Sequence, residues 1–285
     1  NHYGYSSWQL CFAVPAAIAL VGAVALFFTL KDTPSSVGLP EIEDLDKEEG
    51  KVNADEAPAS HPADLTGPAF KKFINKLVFA NPLIWILAVS NFCIYVVRFT
   101  ILDWGATFLT QYKGMEISTA GTVVAASELV GGILGMLVAG WFTDKFMKSR
   151  AHRTCFICTV GATLSFFLFW KSPEGAPWLS ALFICLSSFF IYGPQALLGT
   201  AASQQATKYA CATANGILGI FGYASTAISG VTFGYLADNY GWDSVFLVAV
   251  IICLVGAAVV ALMWKAPADG YEKAEKLMND MKTQN

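Results

Sequence analysis

The sequence predicts an all-α membrane protein, and three observations carry that expectation. Apolar residues fill 55% of the 285 positions and charged residues 14%, and the mean hydropathy is +0.52, beyond the range of an ordinary soluble domain. Seven apolar runs fall near 9–30, 83–109, 117–143, 153–171, 178–201, 213–237 and 244–264. Crossing the hydrocarbon layer as a helix takes roughly 20 such residues, and each run is too long for a strand of an outer-membrane barrel. The third observation is a one-sided distribution of Lys and Arg.

The first run, 9–30, stands alone within a segment 1–30 and is expected as a single transmembrane helix. Residues 31–82 follow as a linker. DTPSSVGLPEIEDLDKEEGKVNADEAPASHPADLTGP (32–68) is rich in Pro, Asp, Glu and Ser and poor in apolar material, the composition of a long, largely disordered connection. Residues 83–264 hold six runs that divide into two threes. GWFTD (140–144) closes the second run of the first three, with the basic stretch DKFMKSRAHR after it, and GYLAD (234–238) closes the second run of the other three. An odd number of crossings separates them, so the two motifs are expected on opposite sides of the membrane, as inverted three-helix repeats require. Residues 265–285 form a polar tail.

If the first helix runs outside to inside, fifteen cations fall on the cytoplasmic side, among them Lys71, Lys72, Lys76, Lys145, Arg150 and Lys276, and only Lys113 and Lys171 on the other. The positive-inside rule then places the C-terminus in the cytoplasm. All seven cysteines lie in or at the ends of apolar runs, which argues against a disulfide framework. Cys155 and Cys158 form a lone C-x-x-C, read as structural rather than as a metal or redox site. The histidines, His2, His61 and His152, are expected outside the helices. No nucleophile, base or metal cluster suggests catalysis, so no cofactor, metal or enzymatic activity is expected.

One cation, Arg98, belongs to neither side, because it lies within FCIYVVRFTILDW (92–104). It is about 22 Å along its helix at 1.5 Å per residue. A charge at that depth costs several kcal/mol and is kept facing a partner or a water-filled cavity. Glu128, in the next and antiparallel run, reaches an overlapping depth, and Asp103 lies a turn and a half beyond Arg98. These two acids are the candidate charge partners. A buried pair that only locks the packing is one reading. The other is a ligand site, because the planar fork of Arg binds phosphate oxygens bidentately and keeps its charge. Tyr95, Tyr192 and Tyr223 fall at similar depths, and Gly193-Pro194 predicts a bent helix lining a cavity. Gln195 follows it with an amide able to donate to a sugar hydroxyl.

Together with Arg98, Asp103 and Glu128, five stretches carry a resemblance: DTPSSVGLPEIE, NPLIWILAVSNFCIYVVRFTILDWGATFL, SELVGGILGMLVAGWFTDK, FIYGPQALLG and GILGIFGY. The chain resembles the organophosphate:phosphate antiporter family of the major facilitator superfamily, and within it the hexose-phosphate transporters and their sensor relatives. The resemblance implies the six-helix C-terminal half of a major facilitator bundle, two inverted three-helix repeats, preceded by the sixth helix of the full transporter and the central cytoplasmic linker. It implies that Arg98 is one of two phosphate-binding arginines, the other lying in an N-terminal half. It further implies that Glu128 and Asp103 face basic residues across the cavity, and that Tyr95, Tyr192 and Tyr223 line it.

The implied function is antiport of a phosphorylated sugar, hexose 6-phosphate first, against inorganic phosphate in the cell inner membrane. Its partners are membrane lipid and the complementary N-terminal half, on the same polypeptide or a separate chain, and no nucleic acid. The alternative is a sensor of the same ligand that signals to a partner kinase, and generic drug efflux is a third reading that leaves the phosphate-type Arg without a purpose. Some hexose-phosphate members carry an Asp and a Lys in the helix that corresponds to 213–237, where this chain has no charge. That departure leaves the sugar open.

Overall fold

The computed structural model describes residues 7–31, 34–39, 67–173 and 175–282, in two units that divide between Ala59 and Ser60. In the first, α1 (Ser7–Thr29) runs unbroken through Pro15, and a 3-10 turn follows at Pro34–Val37. Leu20, Val21, Phe27 and Phe28 of α1 are all exposed, so the helix has no polar face to turn toward water and suits a lipid surround.

The second unit opens with α2 (Pro68–Ile74), which continues as one π-helical turn over Asn75–Phe79. Then come α3 (Pro82–Gln111), α4 (Ile117–Phe146), α5 (Ala151–Lys171), α6 (Pro177–Tyr240), α7 (Trp242–Ala261) and α8 (Tyr271–Lys282). Pro82 pre-sets the first turn of α3, and the Asn81 side chain caps it by accepting from Leu83 N at 3.3 Å. Six described helices, α1 and α3 to α7, are long and apolar enough to cross a membrane. One of them is two helices in sequence. At Thr207 the backbone leaves the helical region (φ 59°, ψ 176°) and divides α6 into a first arm, 177–206, and a second, 208–240. All seven apolar runs are therefore helical, and the chain adopts the expected all-α membrane bundle.

α6 is the hub, packed against α3, α4 and α5. Its first arm lets α4 approach to backbone contact, because a Cβ on Gly131 would sit 2.6 Å from the Cys185 carbonyl and one on Gly135 would collide with that of Phe189. Small residues at a helix crossing supply van der Waals contact where lipid offers no hydrophobic drive between helices. Buried hydroxyls of Ser90, Thr100 and Thr159 donate to the carbonyl one turn back, so that none is stranded without water.

The two ends of the bundle are built differently. At one end Gly270 N donates to Gln204 O, Gln205 Nε2 to Pro267 O at 2.9 Å and Arg153 Nε to Trp264 O at 3.1 Å, while the rings of Phe73 and Tyr209 meet. At the other, Trp170 Nε1 donates to Asp243 at 2.6 Å, Trp242 Nε1 to Gln111 at 3.2 Å, and Lys113 Nζ to the Ser172 carbonyl. GWFTD ends α4 at the first of these, and GYLAD ends the second arm of α6 at the other, where Trp104 packs on Gly234.

Three expectations need correction. The linker assigned to 31–82 does not run through to α3. Residues 68–79 are helical, and Phe73, Leu77 and Val78 are buried. PAFKKFINKLVF carries its apolar residues at helical spacing behind a Pro at the first position, a pattern too short and basic to read as a span. Residues 40–66 of that linker lie outside the described residues. Second, the connection expected at 202–212 is helical apart from Thr207, because ASQQATKYACAT includes Ala, Gln and Lys at seven positions and has no Gly or Pro to interrupt it. The helix likewise continues through Pro194. Third, α5 begins at Ala151, which puts His152 inside the helix and buries it. His2 and His61 lie outside the described residues. Cys155 and Cys158 are buried free thiols.

Candidate functional site

Arg98 lies midway along α3, half-buried, with Tyr95 one turn before it and Phe99 beside it. Its guanidinium carbon is 5.7 Å from the Tyr95 ring centroid, 5.3 Å from Phe99 and 5.0 Å from Tyr192 on the first arm of α6. Aromatic faces around a guanidinium stabilise it by cation–π attraction, more so where water is scarce.

The guanidinium does not pair with Glu128 directly. Arg98 Nη2 donates to the Tyr192 hydroxyl at 3.1 Å, and that hydroxyl donates in turn to Glu128 Oε2 at 2.5 Å. Ser188 Oγ occupies the other carboxylate oxygen at 3.1 Å. Ser188 and Tyr192 are four residues apart on one helix, hence on one face, so a single stripe of α6 holds both oxygens of an acid on α4. Gly132, one turn beyond Glu128, makes room for the phenol, since a Cβ there would lie 3.3 Å from the Tyr192 ring.

Gln195 reaches toward Tyr95, its Nε2 donating to the phenol at 3.5 Å, the limit of hydrogen bonding. Its Oε1 is buried without a partner, and so is Arg98 Nε. Buried polar atoms are almost always bonded, and two open ones of opposite hydrogen-bonding sense in one cluster leave room for a ligand that both accepts and donates. From the second arm, Gly222 lets the backbone lie on Tyr95, where a Cβ would be 3.2 Å from the ring. Asn91 Nδ2 donates to Leu218 O at 2.8 Å and pins α3 to that arm one turn before Tyr95.

The structure thus gathers Arg98, Tyr95, Tyr192, Gln195 and Glu128 from three helices. It leaves two candidates apart. Tyr223, adjacent to Gly222, is 73% exposed, and Asp103 is exposed and forms no ion pair among the described residues. Sequence reasoning missed Ser188, Phe99, Asn91, Gly132 and Gly222. The four-residue step from Ser188 to Tyr192 was a usable signal, as was the polar Asn91 one turn before Tyr95 in an apolar run.

A fixed cation with aromatic walls, an open N–H edge and an open amide oxygen can hold a tetrahedral oxyanion and orient a hydroxyl-bearing group beside it. The sequence profile of the Major Facilitator Superfamily matches residues 2–230. The chain belongs to that superfamily. This major facilitator chain is therefore an integral, multi-pass membrane protein of a family of transporters rather than enzymes.

Its relatives lie in the organophosphate:phosphate antiporter branch. The chain is 31% identical over 276 residues to a probable hexose phosphate transport protein of Chlamydia trachomatis, covering 94% of this chain and 59% of that protein. It is 30% identical over 261 residues to a glycerol-3-phosphate transporter of Bacillus subtilis, covering 91% and 57%. To the membrane sensor protein UhpC of Escherichia coli it is 30% identical over 259 residues, covering 91% and 56%. In each case the chain spans less than three fifths of the relative's length.

Proposed function

We propose that this major facilitator chain supplies the C-terminal half of an antiporter that exchanges a phosphorylated sugar, hexose 6-phosphate first, for inorganic phosphate by alternating access. In this reading α1 is the sixth helix of the whole transporter, residues 31–66 lie in the connection between halves, α3 to α7 form the C-terminal bundle, and the C-terminus is cytoplasmic in the cell inner membrane.

The observation that carries the reading is how the charges are satisfied. An Arg kept at membrane depth only to lock helices together would direct its donors at the nearest carboxylate. Here neutral hydroxyls bond Glu128 instead, and Arg98 keeps a buried N–H without a partner. Arg98 binds phosphate, Tyr95 and Tyr192 wall the site, and Gln195 reads a sugar hydroxyl. Tyr223 and Asp103 act from the side on which the complementary half docks.

The resemblance to UhpC favours a second reading, a receptor that binds the same ligand without moving it. Proteoliposomes of the whole protein loaded with inorganic phosphate test the choice. The antiporter reading expects labelled hexose 6-phosphate to enter only when phosphate is inside. Binding without uptake supports the receptor, and neither binding nor uptake contradicts the site.

A further inference from the structure

α2 has two unlike faces. Phe73, Leu77 and Val78 are buried, Phe73 against the Tyr209 ring at 6.4 Å, and the helix also packs on α8. The side turned away from this core carries Lys71 and Lys72, both exposed, and Lys76, partly so. Phe70 and Phe79 flank them, 38% and 47% exposed. Residues 67–81 contain no Asp or Glu, and none of the three lysines pairs with a described residue.

The helix also sits at the mouth of a span. α3 starts at Pro82, and Trp85 in its first turn donates Nε1 to the Phe79 carbonyl at 2.7 Å, tying the end of α2 to the start of the transmembrane segment. At the same end of the bundle Lys145 lies over the exposed Trp141 ring at 5.0 Å, a second basic and aromatic pair. Tryptophan and phenylalanine rings at the headgroup level, lysines beyond them and a buried apolar stripe behind are the parts of an interfacial helix.

α8 shows that a cationic surface alone does not produce this arrangement. Its Lys273 and Lys276 alternate with Glu272, Glu275 and Asp280, and Lys276 pairs with Glu272 at 2.6 Å. α8 balances its charge internally, whereas the lysines of α2 have no acidic partner among the described residues.

We infer that α2 is a binding element for anionic phospholipid: it lies along the membrane surface, Phe70 and Phe79 set its depth, and Lys71, Lys72 and Lys76 hold phosphate headgroups. This requires only that the chain span a membrane. It is independent of what Arg98 binds.

The test is native mass spectrometry of the whole purified protein in detergent, titrated with dioleoyl-phosphatidylglycerol or dioleoyl-phosphatidylcholine. A juxtamembrane lysine contributes about fivefold in affinity for an anionic surface. The Lys71→Gln, Lys72→Gln, Lys76→Gln triple variant should therefore lose phosphatidylglycerol affinity by roughly a hundredfold and leave phosphatidylcholine binding unchanged. The corresponding triple Arg variant should retain it. Replacing Lys273 and Lys276 of α8 by Gln should cost under about twofold, because these lysines already lie among the acids of their own helix. A triple Gln variant that keeps the preference for phosphatidylglycerol, or an α8 variant that loses as much, overturns the proposal. Should the triple variant misfold, Lys72→Gln alone decides, with a fivefold loss expected and an unchanged affinity contradicting it.

Discussion

Tyr192 stands where α3, α4 and α6 meet, and its hydroxyl accepts from Arg98 while donating to Glu128. Tyr192→Phe keeps the ring over the guanidinium and cuts both bonds. Hydrogen bonds to charged groups contribute about 1.5–3 kcal/mol each, so losing the one that holds Arg98 in place should weaken phosphate binding by roughly ten- to a hundredfold. The competition constant of inorganic phosphate against labelled sugar phosphate reads this directly. Unchanged binding would mean that the phenol orients neither charge. Gly132→Ala should act in the same direction and more weakly, because the added Cβ meets the Tyr192 ring at 3.3 Å and the ring has to give by only a few tenths of an ångström.

Arg98 stood out as a candidate because a charge inside an apolar run has a cost that only a partner or a cavity can offset. Glu128 followed from depth in the adjacent helix. Tyr192 as the bridge did not follow, because it depends on the register between α4 and α6, which the close approach at Gly131 and Gly135 sets. Ser188 and Asn91 are small polar residues of a kind that usually bond their own helix, and only the fold shows them reaching Glu128 and Leu218 instead.

At the level of the helices, the break in α6 falls on a residue poorly suited to it. Thr207 is β-branched and buried, its Oγ1 has no partner, and its φ of 59° is one that only glycine adopts freely. Such a conformation costs about 1–3 kcal/mol. Thr207→Gly should therefore raise the melting temperature of the purified protein despite glycine's greater unfolded freedom, and a fall would mean that the threonine methyl contributes packing that outweighs the strain. The α4–α6 crossing offers the converse prediction. Gly135→Val must separate two backbones, whereas nothing lies within 4 Å of a Cβ on Gly140. The first should melt several degrees lower than the second, and equal melting points would mean that the crossing yields without cost. These breaks and crossings were the illegible part of the fold. Hydropathy marks where a chain can span, but a tight turn made of Ala, Gln, Thr and Lys carries no glycine or proline to mark it, and α2 is too short for a span and too basic to look like core.

For the whole molecule, the distribution of charge and the alternation of helices make one prediction that does not depend on the ligand. Ser149, between α4 and α5, and Asn239, near the end of α6, lie at opposite ends of the bundle. In a variant without native cysteines, Ser149→Cys should react with an impermeant maleimide only from the cytoplasmic side and Asn239→Cys only from outside. The reverse pattern would overturn the orientation drawn from the positive-inside rule.

The central claim is that the fork of Arg98, and not its charge alone, holds phosphate. Arg98→Lys in the whole transporter keeps the charge and loses the two-pronged geometry. Two charge-assisted bonds at about 1.5–3 kcal/mol each correspond to a loss of order a hundredfold or more. The deciding measurement is exchange of radiolabelled phosphate in proteoliposomes, normalised to folded protein. The account predicts that Arg98→Lys folds in normal yield and exchanges at about a hundredth of the wild-type rate or less. Near-wild-type exchange, or poor folding with ligand affinity preserved in the protein that survives, would contradict it.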